Sequence, residues 1–313
     1  MIDRAMATAF ITHPDCLKHA MGAHHPERPE RLAAIADQLS ASGVLHNLAA
    51  YDAPLATDEQ LARAHPIEYI RAIREVAPAQ STIHLDPDTA MNPHSLNAAL
   101  RAAGAAVLAT DLVMTGAADN AFCSVRPPGH HACRTRPMGF CIFNNIAVAA
   151  RHAIAAHAIE RVAIVDFDVH HGNGTEDIFE NDAEVLMVST FQHPFYPYSG
   201  TDDVAPNMKN VPLAAGAGSE AFREAVATHW LPALDAFGPE LILISAGFDA
   251  HVEDELAMLR LHDADYGWVT ERLVEVAARH AAGRIVSSLE GGYALDALAR
   301  SVTQHVKALA GMS

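Results

Sequence analysis

The chain is predicted to be an α/β protein, with a mainly parallel central sheet covered by helices on both faces. Two observations carry the prediction. Short β-branched runs alternate with longer helix-period segments through the 313 residues. Polar, glycine-containing clusters follow several apolar runs directly, at the strand ends where open α/β sheets place their ligands. Strands are expected at 7–12, 121–125, 162–168, 185–191, 241–246 and 284–289. The run Arg161-Val-Ala-Ile-Val165 is continuously apolar after its first residue, as a strand covered on both faces requires. Helices are expected at 28–40, 58–64, 66–76, 94–116, 144–158, 219–236, 263–281 and 294–310. Pro26 and Pro29 suit the start of the first helix, and Gly43, Gly116 and Gly283 stand where helices should stop. The longest irregular segments are 77–93, 126–143 and 192–218. Loops of that length inside a compact domain are usually functional. There is no internal repeat, low-complexity tract or linker-like stretch, so one domain over 1–313 is expected.

Composition narrows the partners. Half the residues are hydrophobic, enough for a substantial core, and 38 acidic against 21 basic residues give a net charge of −17. That balance argues against nucleic acid, whose phosphates need clustered Lys and Arg. It also argues against adhesion to an anionic membrane. Cys16, Cys123, Cys133 and Cys141 show no CxxC spacing, so neither a disulfide framework nor a redox pair is expected. No signal-like h-region and no run of about 18 apolar residues is seen. The expectation is a cytoplasmic protein of open oligomeric state.

The densest chemistry lies in Asp166-Phe-Asp168-Val-His170-His171-Gly-Asn173-Gly. Side chains alternate along a strand, so Asp166, Asp168 and His170 should face one way. Three such groups are costly to bury unless a divalent cation compensates them. Four more polar segments follow expected strands or fill long loops. They are Arg126-Pro-Pro-Gly129-His130-His131, Gly139-Phe140-Cys141-Ile-Phe-Asn144-Asn145, Ser245-Ala-Gly247-Phe248-Asp249 and Glu290-Gly291-Gly292-Tyr293. Parallel strand ends share one rim, where these segments can meet. Of the other histidines, His13, His46, His65, His152, His157, His229 and His280 read as surface or hydrogen-bonded core residues. Cys133 and Cys141 read as packing. The acidic stretch 249–255 lacks EF-hand spacing.

This ordered set resembles the histone deacetylase superfamily, zinc-dependent amidohydrolases on a three-layer arginase-like α/β fold. The resemblance runs from His24-His25-Pro-Glu-Arg28 to Gly291-Gly292-Tyr293, and Asn173 and the Arg-Pro-Pro-Gly-His-His segment are similar to its class II branch. It points to a bacterial-type member related to the acetylpolyamine amidohydrolases. It implies one Zn2+ per chain on Asp168, His170 and Asp249. It implies His131 as general base and acid oriented by Asn173, His130 paired with Asp166, and Tyr293 as oxyanion donor. It implies a substrate channel walled by Phe140 and by Tyr196, with Phe195 as the fallback, the Gly139 carbonyl facing the amide N–H, and Arg28 and His25 flanking the mouth. Leu256 matches a gatekeeper that is Glu in polyamine-selective relatives, and a leucine removes that attraction for a cationic amine. Potassium (K+) is implied at an inner site of Asp166, Asp168, His170, Ser189 and Thr190, and at an outer site of Phe179, Asp182, Val185 and Phe222. The implied reaction is hydrolysis of an N-acetyl or other acyl amide on lysine or a lysine-like amine. An acetylpolyamine amidohydrolase, a non-catalytic metal- or ligand-binding member and, more distantly, an arginase-type dimanganese hydrolase are the alternatives.

Overall fold

A computed structural model describes residues 7–312. Its strands are β1 (Thr8–Thr12), β2 (Leu48–Asp52), β3 (Ile83–His84), β4 (Ala90–Met91), β5 (Asn120–Cys123), β6 (Val162–Asp166), β7 (Val185–Gln192), β8 (Met208–Leu213), β9 (Leu241–Ala246) and β10 (Ile285–Leu289). Its α-helices are α1 (Glu30–Ala41), α2 (Asp58–Leu61), α3 (Ile67–Val76), α4 (Ser95–Met114), α5 (Asn145–His157), α6 (Asn173–Phe179), α7 (Ser219–Ala225), α8 (Leu231–Phe237), α9 (Asp263–His280) and α10 (Leu295–Leu309).

Eight strands form one sheet in the order β2-β1-β5-β10-β9-β6-β7-β8, every pair parallel. The middle strands β5, β6, β7, β9 and β10 are buried at every residue, which accounts for their near-continuous apolar character. Helix α10 packs against α9 and α1, and α4 packs against α5. Strand β9 touches both α5 and α9, and β5 touches both α4 and α10, so the two helix groups cover opposite faces. The expected α/β architecture is therefore present. The strand ends are level: Asp166 is in register with Ser189 on one side and Ser245 on the other, and Ala246 with Leu289. The loops leaving β6, β9 and β10 therefore start from one rim.

Several elements differ from the sequence reading. The strand expected over 162–168 ends at Asp166, so Asp168 and His170 lie in the loop beyond it. The helix expected over 219–236 is broken into α7, a π-helical turn Val226–Trp230, and α8. Pro232, in the first turn of α8, cannot donate the helical bond that a continuous helix would need there. Strands β2 and β8 and helix α6 occupy segments read as irregular. Helix α4 is long and apolar enough to cross a membrane, a run the sequence reading passed over, but 67% of that stretch is buried inside the protein. It is a core helix packed on α5 and on β1, β5 and β10.

Candidate metal and catalytic centre

The loop after β6 curls through two side-chain-to-backbone bonds. Asp168 N–H donates to Asp166 Oδ1 at 3.0 Å, and His170 N–H donates to Asp168 Oδ1 at 2.9 Å. These Asx-type turns, rather than a strand's pleat, keep the alternate residues together. Asp249 joins them from the loop after β9, its Oδ1 accepting from Val169 N–H at 2.9 Å. The loop after β10 closes the group: Gly291 N–H donates to Asp168 Oδ2 at 2.8 Å. A Cβ on Gly291 would lie 2.6 Å from that oxygen and closer still to Asp249 Oδ2, so only glycine lets the backbone pass here.

His170 Nδ1 lies 3.0 Å from Asp168 Oδ1 and 3.2 Å from Asp249 Oδ2. All three residues are buried, and their ligand atoms lie within 4.8 Å of one another. Among the described residues Asp249 Oδ2 has no hydrogen-bond partner although buried, because the His170 contact has ion-pair distance without hydrogen-bond alignment. An orphaned carboxylate oxygen aimed at another carboxylate and an imidazole is what a cation would satisfy. Two carboxylates and one imidazole also match a catalytic zinc site with positions left for water and substrate. The residues fit the group.

Beside them sit two histidines with opposite proton affinities. Burial works against a charge on His130, but Asp168 and Asp166 outweigh it and hold its pKa well above the usual value. Its Nδ1 is 2.9 Å from Asp166 Oδ2. Burial and then the His130 charge hold His131 well below the usual value. His131 Nδ1 is 2.7 Å from Asn173 Oδ1. The Asn173 amide nitrogen faces the sulfurs of Cys133 and Met138 at 3.4 and 3.3 Å, which fixes its oxygen toward His131. His131 therefore carries its proton on Nδ1, donates it to Asn173 and leaves Nε2 with a lone pair. Burial opposes a charge on His170, yet the neighbouring carboxylates of Asp168 and Asp249 raise it to about 10. Burial and the neighbouring Asp168 raise Asp249 to about 6.

A cavity of about 190 Å³ opens above this cluster, lined by residues that include His130, His131, Gly139, Phe140, His170, Tyr196, Leu256 and Tyr293. The Phe140 and Tyr293 rings meet edge-on at 6.0 Å, and Tyr196 stands edge-on to His131 at 5.3 Å. Phe195 stacks on His170 at 5.4 Å and 24°, and it is Tyr196 that lines the cavity together with Phe140. His25 packs edge-on against Phe140 at 4.6 Å. Arg28 is exposed and is not among the residues that line the cavity. The arginine that reaches the centre from this segment is Arg31, one helical turn on. It is buried, lies 4.9 Å over the Tyr293 ring and donates to Gly292 O at 2.6 Å.

The sequence reading also missed Asp88, which lines the cavity. Its Oδ1 accepts from Gly139 N–H at 3.0 Å, and the neighbouring Thr89 Oγ1 accepts from Phe140 N–H at 3.0 Å. The available signal was the Asp86-Pro-Asp88-Thr89 turn within the long segment 77–93.

The residues of the inner potassium set are buried together at the adjoining ends of β6 and β7, with Asp166 in register with Ser189 and Thr190 next in line. Of the outer set, Phe222 lies in α7 and the other three residues run from the end of α6 through the turn to the start of β7. The Phe222 carbonyl accepts the helical N–H of Val226, and its ring is buried edge-on against Trp230 at 6.1 Å. The carbonyls of Phe179, Asp182 and Val185 do converge, but on the side-chain nitrogen of Asn207, at 2.8, 3.1 and 2.9 Å.

A three-layer α/β fold with a buried Asp-His-Asp cluster and a His pair at one rim of its sheet defines a hydrolase of the deacetylase fold class. The comparisons agree. The model of the histone deacetylase domain matches residues 25–309, and the chain belongs to that family. It is 40% identical over 310 residues to a histone deacetylase-like amidohydrolase of Pseudomonas aeruginosa, covering 91% of this chain and 81% of that one. It is 37% identical over 299 residues to a probable deacetylase of Archaeoglobus fulgidus, covering 93% and 82%. It is 35% identical over 327 residues to the human polyamine deacetylase HDAC10, covering 98% of this chain and 48% of that one. The crystal structure of the HDA15 HD domain superposes with a TM-score of 0.93 at 36% identity, over 99% of this chain and 89% of that one.

Proposed function

We propose that this hydrolase cleaves acyl amides on lysine or lysine-like amines with the help of one zinc ion, releasing acetate from acetylated substrates. The observation that carries the reading is the orphaned Asp249 Oδ2, buried against Asp168 and His170 on the floor of an aromatic-walled cavity. Asp168, His170 and Asp249 would hold the zinc ion, which when bound polarises a carbonyl and brings the pKa of a water toward about 7. His131 Nε2 takes the proton of the attacking water and returns one to the departing amine. Asn173 holds His131 in the tautomer this needs. The His130–Asp166 pair keeps a positive charge beside the developing oxyanion. The Tyr293 hydroxyl donates to that oxyanion, and burial keeps its proton in place. Phe140 and Tyr196 grip an apolar methylene chain, and the Gly139 carbonyl accepts from the substrate amide. The inner potassium set offers oxygen donors around Asp166 and Ser189 that suit a monovalent ion. Four unpaired, buried cysteines support a reducing, cytoplasmic setting.

A second reading, an acetylpolyamine amidohydrolase, is favoured by Asp88 in the cavity wall and by the −17 charge. Leu256 at the gate speaks for the first. The deciding experiment compares acetyl-lysine peptide with acetylputrescine and acetylspermidine on zinc-reconstituted protein. Higher kcat/KM on the peptide is expected. Preference for the polyamines would move the assignment, and no turnover of any acylated amine would defeat it.

A further inference from the structure

The loop between α6 and β7 places three backbone carbonyls around one point, and the group that fills the point is Asn207. Its Nδ2 lies 2.8 Å from Phe179 O, 3.1 Å from Asp182 O and 2.9 Å from Val185 O. The amide cannot be turned over without loss, because its Oδ1 accepts from Asn181 N–H at 2.9 Å. A flipped side chain would put two N–H groups face to face and an oxygen against three oxygens. Asn207's own carbonyl accepts from Met187 N–H at 3.0 Å, so its backbone is fixed to β7 as well. A positive charge is already nearby: Arg151 pairs with Asp182 Oδ2 at 2.6 Å and lies 4.7 Å over the Phe179 ring.

Membership of the family led us to expect an outer potassium ion held by the carbonyls of this turn. Three carbonyl oxygens facing one another repel, and something positive must sit among them. In this chain that something is an amide nitrogen with partial positive charge, attached covalently through β8. We infer that Asn207 is a built-in substitute for the outer monovalent cation, so the turn 179–185 is held without potassium. Nothing in this inference depends on which amide is cleaved. Its consequence is that the end of α6, the helix whose first residue Asn173 orients His131, stays anchored whatever the potassium concentration.

Rubidium, a potassium probe visible by anomalous scattering, tests this on the zinc-loaded chain. Crystals grown with rubidium chloride should show no anomalous peak among the carbonyls of 179, 182 and 185 in the wild type. Asn207→Ala removes the amide and leaves the carbonyl ring, so its crystals should show a peak there. In choline chloride the variant's Tm should fall by roughly 2–4 °C, and potassium chloride should restore it by more than it raises the wild type. A rubidium peak inside the wild-type ring would overturn the inference. So would an Asn207→Ala variant that gains no peak and responds to potassium as the wild type does. Should that variant fail to fold in either salt, the wild-type peak decides alone.

Discussion

His130 and His131 are adjacent in sequence, yet one holds its proton and the other lacks a second. Burial opposes a charge on both, and only His130 has carboxylates close enough to outweigh it; His131 has an amide oxygen as its partner. A charged His130, its ring centroid 4.0 Å from that of His131, then makes a second protonation costlier still. Tyr293 contributes differently. It lines the cavity beside His130, His131 and His170, and Arg31 under its ring holds its position. Tyr293→Phe is therefore expected to keep zinc and lose at least about 10²-fold in kcat, as zinc content and turnover measured on one preparation would show. Asp168→Ala removes a ligand and also the acceptor of Gly291 N–H and His170 N–H. It should lose the metal itself. Stoichiometric zinc in Asp168→Ala, or unchanged turnover in Tyr293→Phe, would contradict these roles.

At the scale of elements, the helix layer beside β1 and β5 depends on close approach. Gly104, in the middle of α4, faces the backbone at Pro54–Ala56: an added Cβ would lie 2.9 Å from Ala56 N and closer still to Pro54 O. Neither atom is a flexible side-chain end, so the helix would have to move. Alanine favours a helix over glycine by about 1 kcal/mol, and overpacking costs about 1–3 kcal/mol. The second effect should win, and Gly104→Ala should unfold several degrees lower; a Tm equal to or above the wild type would show that α4 can shift freely. The same helix carries Asp111, whose Oδ1 lies 2.7 Å from both His152 Nε2 and His157 Nε2. Arg63 donates to His152 Nδ1, so Nε2 carries the ring proton, and the group is a hydrogen-bonded clasp between α4 and α5. Such particulars explain which parts of the molecule were legible in its sequence. The Asp168-His170-Asp249 cluster and the histidine pair were, because rim loops concentrate polar residues against apolar strands. Strand β2 was not, because an edge strand pairs on one side only and Leu48-Ala-Ala-Tyr-Asp52 is half-exposed. Strand β8, the other edge, carries Lys209, Asn210 and Pro212, residues that an interior strand would exclude. Helix α6 opens on Asn173-Gly174, which reads as a turn until packing holds it. Arg31 was passed over because sequence spacing does not say which arginine near the start of a helix turns inward.

Across the whole molecule, stability is tied to pH by histidines that do not line the cavity. His305 on α10 bonds Thr270 Oγ1 of α9 at 2.6 Å and Ser287 Oγ of β10 at 2.8 Å, so it ties two helices to the sheet. Burial lowers its pKa from 6.5 to about 3. His65 is similar: its Nε2 accepts the Asn144 N–H at 2.9 Å at the start of α5, and burial lowers it to about 4. The sign follows from where protons bind. Above 6.5 neither folded nor unfolded His305 is charged, and its share of stability is complete. As pH falls from 6.5 toward 3, the unfolded chain takes up a proton that the folded chain refuses, and that share is lost. Other groups move the opposite way. Burial raises Glu290 from 4.5 to about 7, so its share is lost as pH rises through that interval. A wild-type Tm profile alone therefore mixes opposing slopes, and a variant isolates one of them. His305→Asn keeps polar atoms for Thr270 and Ser287 but does not titrate. It should be less stable than the wild type at pH 8, with a deficit that shrinks on acidification. Between pH 6.5 and pH 5 the wild type should give up about 1.5 kcal/mol through His305, narrowing the gap in Tm by roughly 3–6 °C. Thermal unfolding of both zinc-loaded proteins across that range checks it, and parallel Tm curves would mean that His305 is protonated in the fold after all.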